Sequence, residues 1–309
     1  MIITVTLNPA LDKTAEVDRL QTGELNRLQN VITDIGGKGI NVSKMIQALG
    51  GTSIATGFVG GGSGDEIVNT LSRKGIRADF VSVDSTTRTN LKVVDADAVL
   101  TELNEPGVEV TTADAEKLLN KIATYAGPNT IFVLAGSLCQ GVDPEFYPRI
   151  IRLIHKYGGL AFLDVDGEAF EAAIAEKPDF IKPNRHELLE YFNIHEILGS
   201  KDLSELCLRL VDMGIPKIAL SMGKEGAMFF NGTSCTYAHG LNVKAHSAVG
   251  AGDSMMGAFA YGISKEYSWN ETSRLALAAS AGAVTTIGTK PPSKELIEEL
   301  LPQVELLVL

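Results

Sequence analysis

Short β-branched runs, separated by stretches of helical period, leave this chain few folds to choose from. Residues 130–135 carry Ile131, Phe132, Val133 and Leu134 in succession, and residues 160–165 repeat the pattern. A strand apolar at consecutive positions must be covered on both faces, as parallel strands between two helix layers are. Residues 2–7, 53–59 and 180–182 and Lys217–Ser221 read as further strands. Between them, residues 39–49 place Ile40, Val42, Met45, Ile46 and Leu49 along one helical face. Residues 65–74, 144–157 and 203–213 also read as helices. Ala251–Ser264 and residues 271–287 read as long helices whose small residues allow close packing. Residues 229–231 and 235–237 read as a hairpin around Asn231-Gly232. The alternation predicts an α/β fold: a three-layer sandwich with a mostly parallel central sheet. With 309 residues, 45% of them hydrophobic, the whole chain can form one such domain.

Two segments break the alternation. Residues 12–34 have strand-like pieces and no helical period. Residues 88–103 offer 89–94 and 98–102 as a candidate hairpin. Together they predict a small β lid inserted at two places in the single domain. A lid with an apolar face needs covering, which predicts a homodimer through it.

The remaining bulk properties exclude several classes. A net charge of −11, with no Lys/Arg block, argues against a nucleic-acid surface. No apolar run is long enough to span a membrane, and the first residues read as a strand rather than a signal peptide. Cys139, Cys207 and Cys235 lack metal-ligand spacing and read as reduced thiols of a cytoplasmic protein.

Three glycine-rich stretches stand out. In Val249-Gly250-Ala251-Gly252-Asp253-Ser254, small residues meet a carboxylate just before an apolar helical run. The bland reading is an N-cap. The sharper one uses the amides of Gly250, Ala251 and Gly252 as an anion hole, with Asp253 beside it as a proton acceptor, an arrangement suited to phosphoryl transfer. Gly36-Gly37-Lys38-Gly39-Ile40-Asn41 opens another helix, but it matches neither a P-loop nor a dinucleotide fingerprint. Gly60-Gly61-Gly62-Ser63-Gly64-Asp65 reads either as a pocket wall or as a flexible strand-to-helix loop.

Taken together, the stretches at 36–43 and 249–254 resemble the two signature regions of the PfkB-type (ribokinase-like) carbohydrate kinases. Further motifs follow in the same order: Thr6-Leu7-Asn8-Pro9-Ala10-Leu11-Asp12, Thr87-Arg88-Thr89-Asn90, Ala135-Gly136-Ser137-Leu138, Lys182-Pro183-Asn184-Arg185-His186-Glu187 and Ser221-Met222-Gly223-Lys224-Glu225-Gly226. The opening motif and Lys38 look most like the branch that phosphorylates sugar phosphates, 1-phosphofructokinases and tagatose-6-phosphate kinases.

The resemblance implies roles. Asp253 would be the base, and Gly250, Ala251 and Gly252 the anion hole. Asp12, Gly37 and Asn41 would hold sugar hydroxyls, with Asn90 also on the substrate. Arg27, Lys38, Arg88 and Ser137 would gather on the substrate phosphate, Arg27 reaching across from a partner's lid. Lys182, Asn184 and Glu187 would face the ATP phosphates and Mg2+, with Glu187 on the metal. Ser221, Gly223 and Gly226 would line the nucleotide site, and Ala279 and Gly282 would lie near the adenine. Ala248, Cys139-Gln140 and Asp166 depart from the family pattern. The implied reaction is ATP-dependent conversion of fructose 1-phosphate to fructose 1,6-bisphosphate. The alternatives are a tagatose-6-phosphate kinase and a non-catalytic sugar-phosphate sensor.

Overall fold

The computed structural model describes residues 1–97 and 99–309, and it sets the first strand, Ile2–Thr6, inside an eleven-stranded sheet. That strand is buried at every position. It pairs in parallel with Ile54–Val59 on one side and Ile131–Ala135 on the other. The sheet continues in parallel through Leu160–Asp164, Phe180–Ile181 and Lys217–Ser221. It then turns antiparallel through Gly226–Asn231, Ser234–His239 and Leu307–Val308. At the far side, the short strands Arg77–Ala78 and Val81–Ser82 both pair with Ile54–Val59.

Consecutive apolar residues now have their explanation. Successive side chains of a strand point to opposite faces. Phe132 and Leu134 therefore enter one core with Phe146, Ile150 and Phe170, while Ile131 and Val133 enter the other with Met45, Phe180 and Phe259. Burying each such side chain contributes about 1.5–3 kcal/mol. Helices Thr112–Tyr125, Phe146–Lys156, Gly167–Ile174 and Ser200–Asp212 cover the first face. Lys38–Ala48, Ala251–Ser264, Trp269–Ala283 and Lys294–Leu300 cover the second. This is the predicted three-layer, mostly parallel arrangement. The small-residue helices do pack closely: a Cβ on Gly257 would lie 2.8 Å from the Met45 Cβ.

Several boundaries moved. The second helix runs Gly61–Arg73, so the 60–65 glycine run is its cap and first turn, neither pocket wall nor loose loop. The Gly60 amide is held by Thr87 Oγ1 at 2.9 Å, a contact from a segment distant in sequence. In the hairpin Asn231 pairs with Ser234, which makes Gly232-Thr233 the turn, one residue later than expected. The last long helix stops at Ala283 rather than 287. Thr112–Tyr125 was not anticipated, although a Thr111–Asp114 capping box starts it.

The lid is a separate four-stranded sheet in the order Gln29–Gly36, Ala10–Glu16, Arg88–Val94, Leu100–Asn104. Two distant stretches supply it, slightly wider than 12–34 and 88–103. Ala98, where the second candidate strand was expected to begin, lies outside the described residues. Leu28, Val31, Ile32, Leu100 and Leu103 are exposed on this sheet and the loop leading to it. No helix among the described residues is long and apolar enough to cross a membrane. All three cysteines are free and buried.

Candidate active site

Because the central strands are parallel, their C-terminal ends share one edge, where open α/β sheets place their ligands. Ile131–Ala135, Leu160–Asp164 and Phe180–Ile181 lead there to Gly136, Asp164 and Lys182. A cavity of about 690 Å3 opens at this edge, with Lys38, Asp164, Lys182, Asn184, Glu187 and Asp253 among its lining residues.

Asp253 sits in the first turn of Ala251–Ser264. Gly250 caps that helix with φ +82°, a left-handed conformation that suits glycine. The cap reading and the anion-hole reading are thus one structure. With Gly250 as the cap, the amides that have no acceptor one turn back within the helix are those of Gly250, Ala251, Gly252 and Asp253. The Ala251 amide leans on the Ala248 carbonyl at 3.4 Å. Asp253 is 8% exposed, and its Oδ2 accepts a 2.7 Å hydrogen bond from Asn41 Nδ2. Burial, and next the neighbouring Asp164, push its carboxyl up to about 6, against the Asn41 hydrogen bond and the charges of Lys38 and Lys182.

Two lysines share one carboxylate beside Asp253. Lys182 Nζ lies 3.2 Å from Asp164 Oδ2, and Lys38 Nζ lies 3.3 Å from Oδ1. Lys38 also pairs with Asp166 at 3.7 Å. Burial pushes Asp164 up, but the charges of Lys182 and Lys38 outweigh it and hold the carboxyl below its ordinary range. Asp164 in turn holds Lys38 firmly protonated against burial. A Cβ on Gly252 would fall 2.9 Å from the Lys182 ammonium, so that charge stands over the first-turn amides. Free N–H groups, a fixed cation and an adjacent carboxylate can hold a phosphoryl group while a proton leaves the attacking hydroxyl.

On one side of these groups, Asn184 caps Arg185–Tyr191 in a reciprocal capping box with Glu187, both bonds at 2.9 Å. Burial raises the Glu187 carboxyl, opposed by Lys182. Ser221, Gly223 and Gly226 line the cavity as expected, beside Leu241 and Val243. Ala279 and Gly282 do not line it. Ala279 is fully buried in the core, and a Cβ on Gly282 would meet Pro292. The same helix turns Leu277, Ser280 and Ala281 to the cavity, followed by its cap residue Val284.

The lid carries the acceptor-side candidates. Asp12 pairs in register with Asn90, whose Nδ2 donates to Asp12 Oδ1 at 3.0 Å. Lys92 approaches the other Asp12 oxygen at 3.7 Å. A Cβ on Gly36 would overlap the Asp12 carboxylate. Gly37 caps Lys38–Ala48 with φ +118°, again a backbone that favours glycine. The Arg88 guanidinium donates to the Asn8 carbonyl at 3.0 Å. Ser137 is exposed just beyond Ile131–Ala135. Arg27 is exposed in the loop between two lid strands. Within one chain Lys38 pairs with Asp164, Arg88 with the Asn8 carbonyl, and Arg27 lies on the lid surface, from which it was expected to reach a partner. Asn41, expected on the sugar, gives one of its two amide hydrogens to Asp253.

Asp164 was missed in the sequence, as was Lys44. Both had a signal: a charged residue embedded in an apolar strand or on the buried face of a helix. The three departures from the family pattern also have places. Ala248 lines the cavity, Asp166 pairs with Lys38, and Gln140 Nε2 donates to the Gly107 carbonyl at 3.0 Å.

A buried carboxylate beside helix-terminal amides, at the C-terminal edge of an α/β sheet, is an arrangement suited to phosphoryl transfer. The family model described as pfkB family carbohydrate kinase matches residues 5–296, and the chain belongs to that family. It is a carbohydrate kinase. The 1-phosphofructokinase of Bacillus subtilis is 33% identical over 305 residues, covering 99% of each chain. That of Vibrio cholerae is 31% identical over 304 residues, covering 98% of this chain and 96% of its own. Phosphofructokinase-2 from Escherichia coli, solved in complex with potassium, superposes with a TM-score of 0.93 at 29% identity, covering 98% of each chain. Ribokinase from Thermotoga maritima, at 20% identity and a TM-score of 0.79 over 98% of this chain and 99% of its own, shares the fold.

Proposed function

We propose that the protein transfers the γ-phosphoryl group of ATP to the free primary hydroxyl of a ketohexose monophosphate, and that fructose 1-phosphate is converted to fructose 1,6-bisphosphate. The observation that carries the reading is Asp253, a buried carboxylate raised to about 6 beside the first-turn amides of Ala251–Ser264. The names of the curated relatives support a phosphorylated ketohexose.

In this mechanism the 6-hydroxyl gives its proton to Asp253 as its oxygen bonds to the γ-phosphorus. The bond from that phosphorus to the β–γ bridging oxygen breaks, and ADP leaves. The amides of Gly252 and Asp253 and the Lys182 ammonium stabilise the charge on the transferring group. Asp12 and Asn90 orient the sugar, and Arg88 meets its phosphate. Holding the hydroxyl against the γ-phosphate can supply about 7–11 kcal/mol, and the base about 10²–10⁴-fold.

Glu187 fits Mg2+. No group of three or more His, Cys, Asp or Glu side chains among the described residues could hold a metal unaided. One carboxylate facing a cavity suits an ion that keeps waters and phosphate oxygens as its other ligands. When bound there, Mg2+ would neutralise triphosphate charge. We also propose a homodimer through the lid, with Arg27 entering the partner's cavity. The exposed Leu28, Ile32, Leu100 and Leu103 support it.

A second reading, phosphorylation of a ketohexose 6-phosphate such as tagatose 6-phosphate at its 1-hydroxyl, is favoured by one neighbour. Escherichia coli phosphofructokinase-2, 28% identical, was solved with fructose 6-phosphate. An ADP-release assay over fructose 1-phosphate, fructose 6-phosphate, tagatose 6-phosphate and free fructose separates them. The highest kcat/KM on fructose 1-phosphate is expected. Turnover confined to the 6-phosphates replaces the first reading with the second, and no turnover on any of the four favours a sensor.

A further inference from the structure

Lys44 is 4% exposed and does not line the cavity just described. It lies on Lys38–Ala48 one turn beyond Asn41. Its ammonium donates to Asn41 Oδ1 at 3.3 Å, to Asp34 Oδ2 at 3.1 Å and to the Ile35 carbonyl. An ammonium has three hydrogens and no acceptor, so all three donors are used. The same rule fixes Asn41. Its carbonyl oxygen must face Lys44, which leaves the amide NH2 to face Asp253. A flipped amide would set NH2 against an ammonium and an oxygen against a carboxylate.

Asp34 and Ile35 belong to the lid strand Gln29–Gly36, at the end that runs into Gly37 and the helix. One buried cation therefore joins the root of the lid to the amide that grips Asp253. We infer that Lys44 is a positioning residue for phosphoryl transfer: it locks the Asn41 amide, which ties up Asp253 Oδ2 and leaves Oδ1 to receive the proton. The inference rests on Asp253 being the base. Around Asp253 the other charged groups are Asp164, Lys38 and Lys182, and around Lys44 they are Asp34, Lys74 and Asp12.

The test reads the Asp253 carboxyl directly. The ligand-free protein carries γ-13C aspartate, and Asp253→Asn assigns the resonance. Lys44→Met removes the donor and keeps the aliphatic stem, so the Asn41 amide is free to turn. The Asp253 titration should then move up by about one pH unit, the value of one lost hydrogen bond to a charged group. In an Asn41→Ala background, Lys44→Met should add no further shift. Lys44→Arg, which keeps the donors and the charge, should restore the parent titration. Kinetically, Lys44→Met should lower kcat about tenfold, with KM for both substrates within twofold.

An unmoved titration in Lys44→Met overturns the inference. So does a shift that persists in the Asn41→Ala background, because a through-space charge effect would survive there. If Lys44→Met does not fold, Lys44→Arg decides: a displaced titration in that variant overturns the inference, and the parent titration supports it. Because the titration is read without substrate, failure of every sugar phosphate to turn over would sink the proposed function and leave this result standing.

Discussion

The floor of the cavity and its lid solve opposite problems. On the floor Lys38, Asp164, Lys182, Glu187 and Asp253 all have partners within the chain. Asp164 binds two lysines, Asn41 binds Asp253, and Glu187 closes a capping box. Such groups are fixed before any ligand arrives, which is what transition-state charge stabilisation requires. The lid fixes Asp12 and Asn90 but leaves Arg27 and a band of leucine, valine and isoleucine side chains in water. The floor's charges are satisfied within one chain, whereas the lid leaves apolar side chains exposed. Under the proposed function, chemistry belongs to the floor, and substrate capture and assembly to the lid.

Four changes would break or sharpen that division. The largest effect belongs to Asp253→Asn, which should lower kcat by about 10²–10⁴-fold while calorimetry finds sugar and nucleotide binding retained. Near-normal kcat would remove Asp253 as the base. In the parent, the base works deprotonated, so kcat/KM should fall tenfold per unit below about pH 6 and level off above it. The stability consequence has the same origin. A carboxyl raised from 3.8 to about 6 on folding costs stability as pH climbs through that window. Asp253→Asn should accordingly raise the melting temperature at pH 8 and not at pH 3.

Lys182→Met comes next. It strips a 5%-exposed cation from a carboxylate that stays buried, so denaturant unfolding should report a loss of about 3 kcal/mol. A change within experimental scatter would show that Lys38 alone neutralises Asp164. Arg88→Ala is a lid change and should leave kcat nearly intact while raising KM for the sugar phosphate about tenfold, the value of one charge-assisted contact. An unchanged KM would take Arg88 off the substrate phosphate. The smallest effect on the fold belongs to Ile32→Glu, at a residue 58% exposed. Sedimentation should show dissociation to monomers, with the monomer's unfolding free energy within about 0.5 kcal/mol of the parent. A parent that is already monomeric would refute the lid interface.

Much of the division was legible in the chain. The lid segments were recognisable because they lacked a helical period, and the stretches around Gly37 and Gly250 because small residues lead straight into an apolar helical run. Finer placement was not legible. Ala279 and Gly282 were expected near the adenine, and it is their neighbours Ser280 and Ala281 that line the cavity. The run at 60–65 hid a helix start because Gly60 is held by Thr87 across the fold, a contact with no local trace. Lys38 was expected on the substrate phosphate; that Asp164, at the end of one strand, and Asp166, two residues further on, stand beside it was not legible.

The sequence by itself determined the layers and the caps. Residue type and period decide which face of a strand or helix is apolar, and small residues before a carboxylate decide where a helix can begin. Only the tertiary structure decided which charge meets which. Asn41 and Asp253 are 212 positions apart, and the Lys38–Asp164 pair is 126 apart. A hydrogen bond tolerates errors of only a few tenths of an ångström. That tolerance is set by strand register and helix packing across the whole domain, and no local pattern carries it.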